Sequence, residues 1–215
     1  MDDIAKYIDH TLLKKDASDQ EIEKLCDEAI KYSFKAVVVF PEFLPIVVKK
    51  LKDKKPLAVT VVDFPLGNKS PDEKALEAKK AIDNGAEELD MVIDVIALKD
   101  KNYKQVFGGI NKVVKAAQNV PVKVIIETCY LNPLEIASAC TIAKLAGAKF
   151  VKTSTGFAKA GAKVDDIIFM KNSVGDDFGI KASGGIKTYK DAILFLEAGA
   201  NRLGTSSSVQ IINKK

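Results

Sequence analysis

Two lysines stand where a lysine is expensive. Lys152 ends the apolar run Phe150-Val151-Lys152 and precedes Thr153-Ser154-Thr155-Gly156, and Lys181 lies in Gly179-Ile180-Lys181-Ala182 ahead of Ser183-Gly184-Gly185. A buried ammonium pays a desolvation cost, and its pKa falls. An amine whose pKa drops from about 10.4 to about 7 is neutral roughly a thousandfold more often near pH 7. A neutral amine can attack a carbonyl and form an imine. Two such lysines on neighbouring strands would each make the other harder to charge. A nearby carboxylate, Asp90, could then move protons. The plain alternative is that either lysine snorkels from a strand end or pairs with an aspartate for stability alone.

The remaining composition narrows the chemistry. The chain has 215 residues, of which 47% are hydrophobic, enough for one sizeable core and one catalytic domain over residues 1–215. The net charge is +4, yet Arg202 is the only arginine, and no basic block is interleaved with aromatics. Sequence-reading DNA proteins lean on arginine forks, so no nucleic-acid partner is expected. Most lysines read as solvated helix faces. Cys26, Cys129 and Cys140 have no CxxC spacing and suit reduced thiols in a cytoplasmic protein. Met1-Asp2-Asp3 offers no basic leader, and no apolar run approaches the ~20 residues of a membrane span. With His10 as the only histidine, a multi-histidine metal site is excluded, and neither a metal nor a cofactor is expected.

Strand-like and helix-like segments alternate along the chain. The expected strands are Tyr7–Thr11, Ala36–Phe40, Ala58–Phe64, Glu88–Asp94, Val122–Thr128, Phe150–Thr153, Gly179–Ser183 and Arg202–Gly204. Unbroken runs such as Val37-Val38-Val39-Phe40 suit parallel strands buried on both faces. Ser18 with Glu21, Ser70-Pro71, Asn132-Pro133 and Thr188 with Asp191 mark helix starts. Asp94 reads as a cap or loop residue. Eight β-α repeats point to an α/β protein, a (β/α)8 TIM barrel with an extra N-terminal helical segment. No GxGxxG follows an early strand, which weakens a dinucleotide-binding fold.

A weak repeat places the chemistry. Gly85-Ala86, Gly147-Ala148 and Gly199-Ala200 each lead into a strand, and five residues past each glycine stand Asp90, Lys152 and Gly204. These fall on strands 4, 6 and 8, and alternate strands of such a barrel share an interior layer. Asp90 and Lys152 should therefore face each other, with Gly204 leaving space beside them. Asp9 is the better candidate than His10, which reads as a packed residue, since alternation turns one of the two inward. Glu127, at the end of strand 5, could contact the site or pair with a lysine. Ser183-Gly184-Gly185 and Gly204-Thr205-Ser206-Ser207-Ser208 follow strands 7 and 8, where such barrels often bind phosphate. Gly156 is expected in the same pocket. Ordinary turn glycines and a serine cap are the alternative.

The lysine segments 150–156 and 179–186 resemble the two lysine motifs of the deoxyribose-phosphate aldolase family. Asp9-His10-Thr11-Leu12-Leu13, Phe64-Pro65-Leu66-Gly67, Glu88-Leu89-Asp90-Met91-Val92-Ile93, Lys123-Val124-Ile125-Ile126-Glu127-Thr128 and Arg202-Leu203-Gly204-Thr205-Ser206-Ser207 follow the family's order over nearly the whole chain. The resemblance implies a metal-independent class I aldolase that reversibly cleaves 2-deoxy-D-ribose 5-phosphate to D-glyceraldehyde 3-phosphate and acetaldehyde. Lys152 would form the imine, Lys181 would lower its pKa, and Asp90 would exchange protons with Lys181. Asp9 and Thr11 would meet sugar hydroxyls or a catalytic water. Thr153 and Gly204 would join the substrate site. Gly156, Gly184, Gly185, Ser206 and Ser207 would hold the phosphate. The partner implied is a small phosphosugar, with a dimer or tetramer of the chain and no membrane.

The sequence departs from that family at three places. Many members carry a cysteine where this chain has Val38, three residues before Pro41. Some carry a lysine where this chain has Phe157, which leaves the phosphate one fewer cation unless Lys159 replaces it. Some continue past the position of Lys214-Lys215. A phosphosugar isomerase using carboxylates, and a phosphate-binding barrel without catalysis, are the other readings. The lysine pair argues against both.

Overall fold

The computed structural model describes residues 4–213, so Met1-Asp2-Asp3 and the terminal Lys214-Lys215 lie outside it. Eight parallel strands close into a barrel in chain order, with β1 paired to both β2 and β8. They are β1 Ile8–Leu12, β2 Ala36–Val39, β3 Leu57–Val62, β4 Glu88–Val92, β5 Val122–Ile125, β6 Phe150–Lys152, β7 Gly179–Ser183 and β8 Arg202–Thr205. The helices are α1 Asp19–Tyr32, α2 Leu44–Leu51, α3 Pro71–Asp83, α4 Val95–Lys99, α5 Tyr103–Ala117, α6 Pro133–Leu145, α7 Val164–Val174, α8 Tyr189–Glu197 and α9 Ser208–Asn213. The extra N-terminal segment is a short 3-10 turn, Ile4–Tyr7.

Local sequence explains the helix starts. Ser18, Ser70, Asn132 and Thr188 form capping boxes with Glu21, Glu73, Glu135 and Asp191. Such a cap contributes about 1 kcal/mol, because it satisfies backbone N–H groups the helix cannot. Asp94 caps α4, accepting from the Ala97 N–H. No helix among the described residues is long and apolar enough to cross a membrane.

The apolar core has two parts. The larger lies between strands and helices and includes Val37, Leu89, Val124, Ile180 and Leu203 from the strands' outer faces. The smaller lies inside the barrel, on β2 and β3, and comprises Ala36, Val38, Phe40, Val59 and Val61. Branched apolar residues usually fill the whole interior of such a barrel. Here the rest of it, from β4 round to β1, is largely charged, with Val92, Ile125 and Phe150 at inward register positions beside the charges.

Strands 2 to 6 all end earlier than sequence alone suggests. After β3 and β5 the reason is backbone geometry: Asp63 and Glu127 adopt left-handed conformations, φ 49° and 55°. Asp63 then organises the β3–α3 loop. Its carboxylate accepts from the Lys69 N–H at 2.9 Å and faces Lys74 Nζ at 3.1 Å. Lys74 also donates to the carbonyls of Gly67 and Val92, both at 2.9 Å. Gly67 has φ +68°, and a Cβ there would lie 2.0 Å from the Ile93 carbonyl oxygen, so only glycine fits. Lys74 is thus a helix lysine that is fully buried, against the expectation of solvated helix lysines. Both partners of this ion pair are 2% exposed. Lys74→Met strands the Asp63 carboxylate, and the expected loss is about 3–5 kcal/mol of stability in urea unfolding.

Candidate active site

The inward positions of six strands bring seven charged side chains together. Register sets Asp90 beside Lys123, Lys152 beside Lys181, Lys181 beside Arg202, and Asp9 beside Gly204. Asp90 is the hub. Its Oδ2 accepts from Lys152 Nζ and Lys181 Nζ, each at 2.8 Å, and its Oδ1 accepts from Lys123 Nζ at 2.8 Å. Lys181 also donates to Asp9 at 2.5 Å. Arg202 donates to Asp9 at 2.9 Å and to both Glu88 oxygens at 2.9 and 3.0 Å. Lys123 lies 2.7 Å from Glu88.

The alternate-strand argument therefore places Asp90 and Lys152 correctly. It misses that Lys181, from the odd-numbered β7, reaches the same oxygen. The space at Gly204 also belongs to Lys181 rather than Lys152, since a Cβ there would lie 3.0 Å from Lys181 Cε. Sequence reading missed Lys123, Glu88 and Arg202 altogether. Register between strands and closure of the barrel, not a pattern along the chain, bring them to their partners.

Four basic side chains face three carboxylates. A neutral interior requires one basic group without its proton, and Lys152 is the one disfavoured as a cation. Burial lowers its pKa to about 8; Asp90 opposes the shift, while Lys181 and Lys123 add to it. Burial does more than the neighbouring lysines, in the order sequence reasoning gave them. Burial also lowers Lys123's affinity for its proton, but Asp90 and Glu88 outweigh that and its pKa rises. Burial raises Asp90, yet Lys123, Lys152 and Lys181 hold it well below the usual carboxylate range. Asp9 is likewise raised by burial but held at about 2 by Lys181, Arg202 and Lys123.

Above the cluster, a cavity of about 300 Å³ opens at the C-terminal end of the strands. Thr11, Gly156, Gly184, Gly185, Gly204, Ser206 and Ser207 all line it. Lys14 and Lys187 line it too, and sequence reading passed over both. Lys159 is elsewhere, over the Tyr130 ring at 5.5 Å, so it does not replace the cation absent at Phe157. Asp9 and Thr153 are both fully buried and do not line the cavity. The Thr153 hydroxyl donates to the Ser183 carbonyl at 3.1 Å and accepts from the Ser183 N–H at 3.0 Å, joining β6 to β7. Ser154 Oγ and Thr128 Oγ1 are buried hydroxyls without a partner among the described residues.

His10 faces away from the cluster. Its Nδ1 lies 2.9 Å from Ser208 Oγ and its Nε2 2.8 Å from Glu28, tying β1 to α9 and α1. Glu127 binds Thr155 instead of a lysine. Val38 lies in the apolar half of the interior, away from the charged cluster.

Such a site can form an imine on a partly neutral lysine, pass protons through a shared carboxylate, and hold an anion a short way above. The chain matches the pattern of DeoC/LacD family aldolases over residues 4–212. It is 52% identical over 214 residues to the deoxyribose-phosphate aldolase of Thermococcus gammatolerans, covering 98% of this chain and 95% of that one. It is 53% identical over 213 residues to that of Carboxydothermus hydrogenoformans, covering 97% and 93%. The tetrameric deoxyribose phosphate aldolase from Aeropyrum pernix superposes with a TM-score of 0.91 at 30% identity, covering 98% of this chain and 89% of that one.

The cluster sets two opposed expectations for stability at pH 7. Arg202→Met removes three hydrogen bonds from buried carboxylates and should cost about 3–5 kcal/mol in urea unfolding. Lys152→Met leaves Asp90 with Lys123 and Lys181 and removes the cation that burial disfavours. Its cost should stay within about 1 kcal/mol.

Proposed function

This chain belongs to the DeoC/LacD family of aldolases, and on that premise we propose that Lys152 is the imine-forming amine in cleavage of 2-deoxy-D-ribose 5-phosphate. It is an aldehyde-lyase, and the reaction yields D-glyceraldehyde 3-phosphate and acetaldehyde. The observation that carries the assignment is the placement of Lys152, buried with its Nζ 2.8 Å from Asp90 Oδ2, where burial lowers its pKa to about 8. The neutral amine adds to C1 of the open-chain sugar, and loss of water leaves an iminium. Removal of the C3 hydroxyl proton breaks the C2–C3 bond, and its electron pair flows into the iminium to give an enamine. Glyceraldehyde 3-phosphate leaves. Protonation of the enamine carbon and hydrolysis release acetaldehyde and restore the amine.

Asp90 and Lys181 serve these proton movements. Asp90 Oδ2 accepts from both lysines, so it joins them by two short hydrogen bonds. Asp9 orients Lys181 from the other side. Thr11 reaches the sugar at the cavity wall, while Thr153 acts indirectly by holding β6 to β7. Gly156, Gly184, Gly185, Gly204, Ser206 and Ser207 surround the phosphate, with Lys14 and Lys187 supplying positive charge. The whole chain works as one catalytic barrel. The unpaired Cys26, Cys129 and Cys140 fit a cytoplasmic setting. Exposed Leu66, Ile96, Leu134 and Leu145 support a homo-oligomer.

Borohydride with acetaldehyde should trap one adduct, on Lys152; an adduct mapped to another lysine overturns the assignment. Lys152→Arg should abolish cleavage, because a guanidinium stays charged. The sign of the pH dependence follows from the amine. Below pH 8 the protonated form dominates, so kcat/KM in the cleavage direction should rise about tenfold per pH unit and level off above about pH 8. A pH-rate profile checks this.

A further inference from the structure

Glu127 sits one strand away from Lys152 and feels its charge, yet its side chain bonds to none of the charged cluster. Its backbone is left-handed, φ 55° and ψ 64°, a region disfavoured for any residue with a Cβ. The residue is 4% exposed. A buried glutamate in such a backbone is costly, and here burial also pushes its pKa up, against the hydrogen bonds it accepts. Something in the native structure compensates.

All its side-chain hydrogen bonds go to the loop after β6. The Thr155 N–H donates to both carboxylate oxygens at 3.2 Å, and the Thr155 hydroxyl donates to Oε2 at 2.5 Å. The same hydroxyl oxygen accepts from the Phe157 N–H at 3.1 Å. Gly156, with φ +87°, is therefore strung between two residues whose N–H groups are already engaged. On its outer side the loop is held by apolar and backbone contacts. The Phe157 ring meets Phe64 edge-on at 5.3 Å. The Ala162 N–H donates to the Ser183 and Gly184 carbonyls at 3.1 Å. Glu127 is the charged tie among these; it and Thr155 line a neighbouring cavity of about 430 Å³, while Gly156, between the two engaged N–H groups, lines the anion cavity.

We propose that Glu127 is a positioning residue for phosphate capture: it fixes the Thr155–Phe157 backbone so that Gly156 closes one side of the anion cavity, and it thereby sets the preference for phosphorylated over unphosphorylated substrate. The choice of substrate rests on the aldolase reading; the anion-binding part does not. This chain has Phe157 rather than a cation beside Gly156, so backbone placement carries more of the phosphate's binding there.

Glu127→Gly suits the test, because glycine adopts the left-handed backbone without strain and removes only the side chain. Glu127→Gln keeps an acceptor oxygen and should restore part of the function. Thr155→Val removes the hydroxyl link from the other end. Steady-state cleavage of 2-deoxy-D-ribose 5-phosphate and of 2-deoxy-D-ribose, with calorimetric titration of inorganic phosphate, gives the readout. Glu127→Gly and Thr155→Val should raise KM for the phosphorylated sugar by about tenfold or more, the size of a lost charged hydrogen bond. The change in kcat should stay within about threefold, as should that in kcat/KM for the unphosphorylated sugar. Phosphate affinity should fall in parallel, and Glu127→Gln should lie between. Equal losses for both sugars, or unchanged phosphate affinity in Glu127→Gly, would overturn the proposal. Weakened phosphate binding in a protein whose wild type cleaves neither sugar would support Glu127's role and reject the aldolase substrate.

Discussion

The structure depends on one buried carboxylate. Asp90 accepts from three lysines at 2.8 Å each, and no water-exposed group could substitute for it. Without that anion, Lys152 would lose its carboxylate, and four basic groups would face only Asp9 and Glu88 in a closed barrel. With it, the cations are held but not equally. Lys123 has two carboxylates and binds its proton more tightly than usual. Lys152 has half of one carboxylate oxygen pair and two cationic neighbours, and it binds its proton less tightly. The same hub thus keeps one lysine structural and makes its neighbour reactive.

This arrangement costs the barrel part of its apolar filling. β2 and β3 supply most of the apolar interior, and Val38 belongs to that half. The charged half is assembled by strand register, in which Lys152 pairs with Lys181 and Lys181 with Arg202. The fold can carry this load because a large apolar shell lies outside the strands, where the helices pack. Stability comes mainly from that shell, and the interior is left to chemistry.

The mouth is organised by a second device. Asp63 and Glu127, each just past a strand end, take left-handed backbones and use their carboxylates to gather nearby loop N–H groups. The two loops they organise meet where Phe64 touches Phe157. Buried carboxylates therefore order both the reactive layer and the loops above it, but by different means: ion pairs inside, backbone hydrogen bonds at the rim.

Much of this was legible from residue order. Alternation of apolar runs with capping signals sets eight strands, and period-two geometry turns one of Asp9 and His10 inward. The helix-end glycines before strands 4, 6 and 8 bring Asp90 and Lys152 into one layer. Those features are local, and local stereochemistry decides them. Lys123, Lys74, Glu88 and Arg202 were not legible, because a charge in a strand or helix reads as solvated unless its partner is known. Their partners lie 11 to 193 residues away in the chain and meet only on closure. Strand ends, the burial of Thr153 between β6 and β7, and the pKa of Lys152 were likewise decided by tertiary structure. Desolvation and charge act through space, and a one-dimensional pattern records neither distance nor exposure.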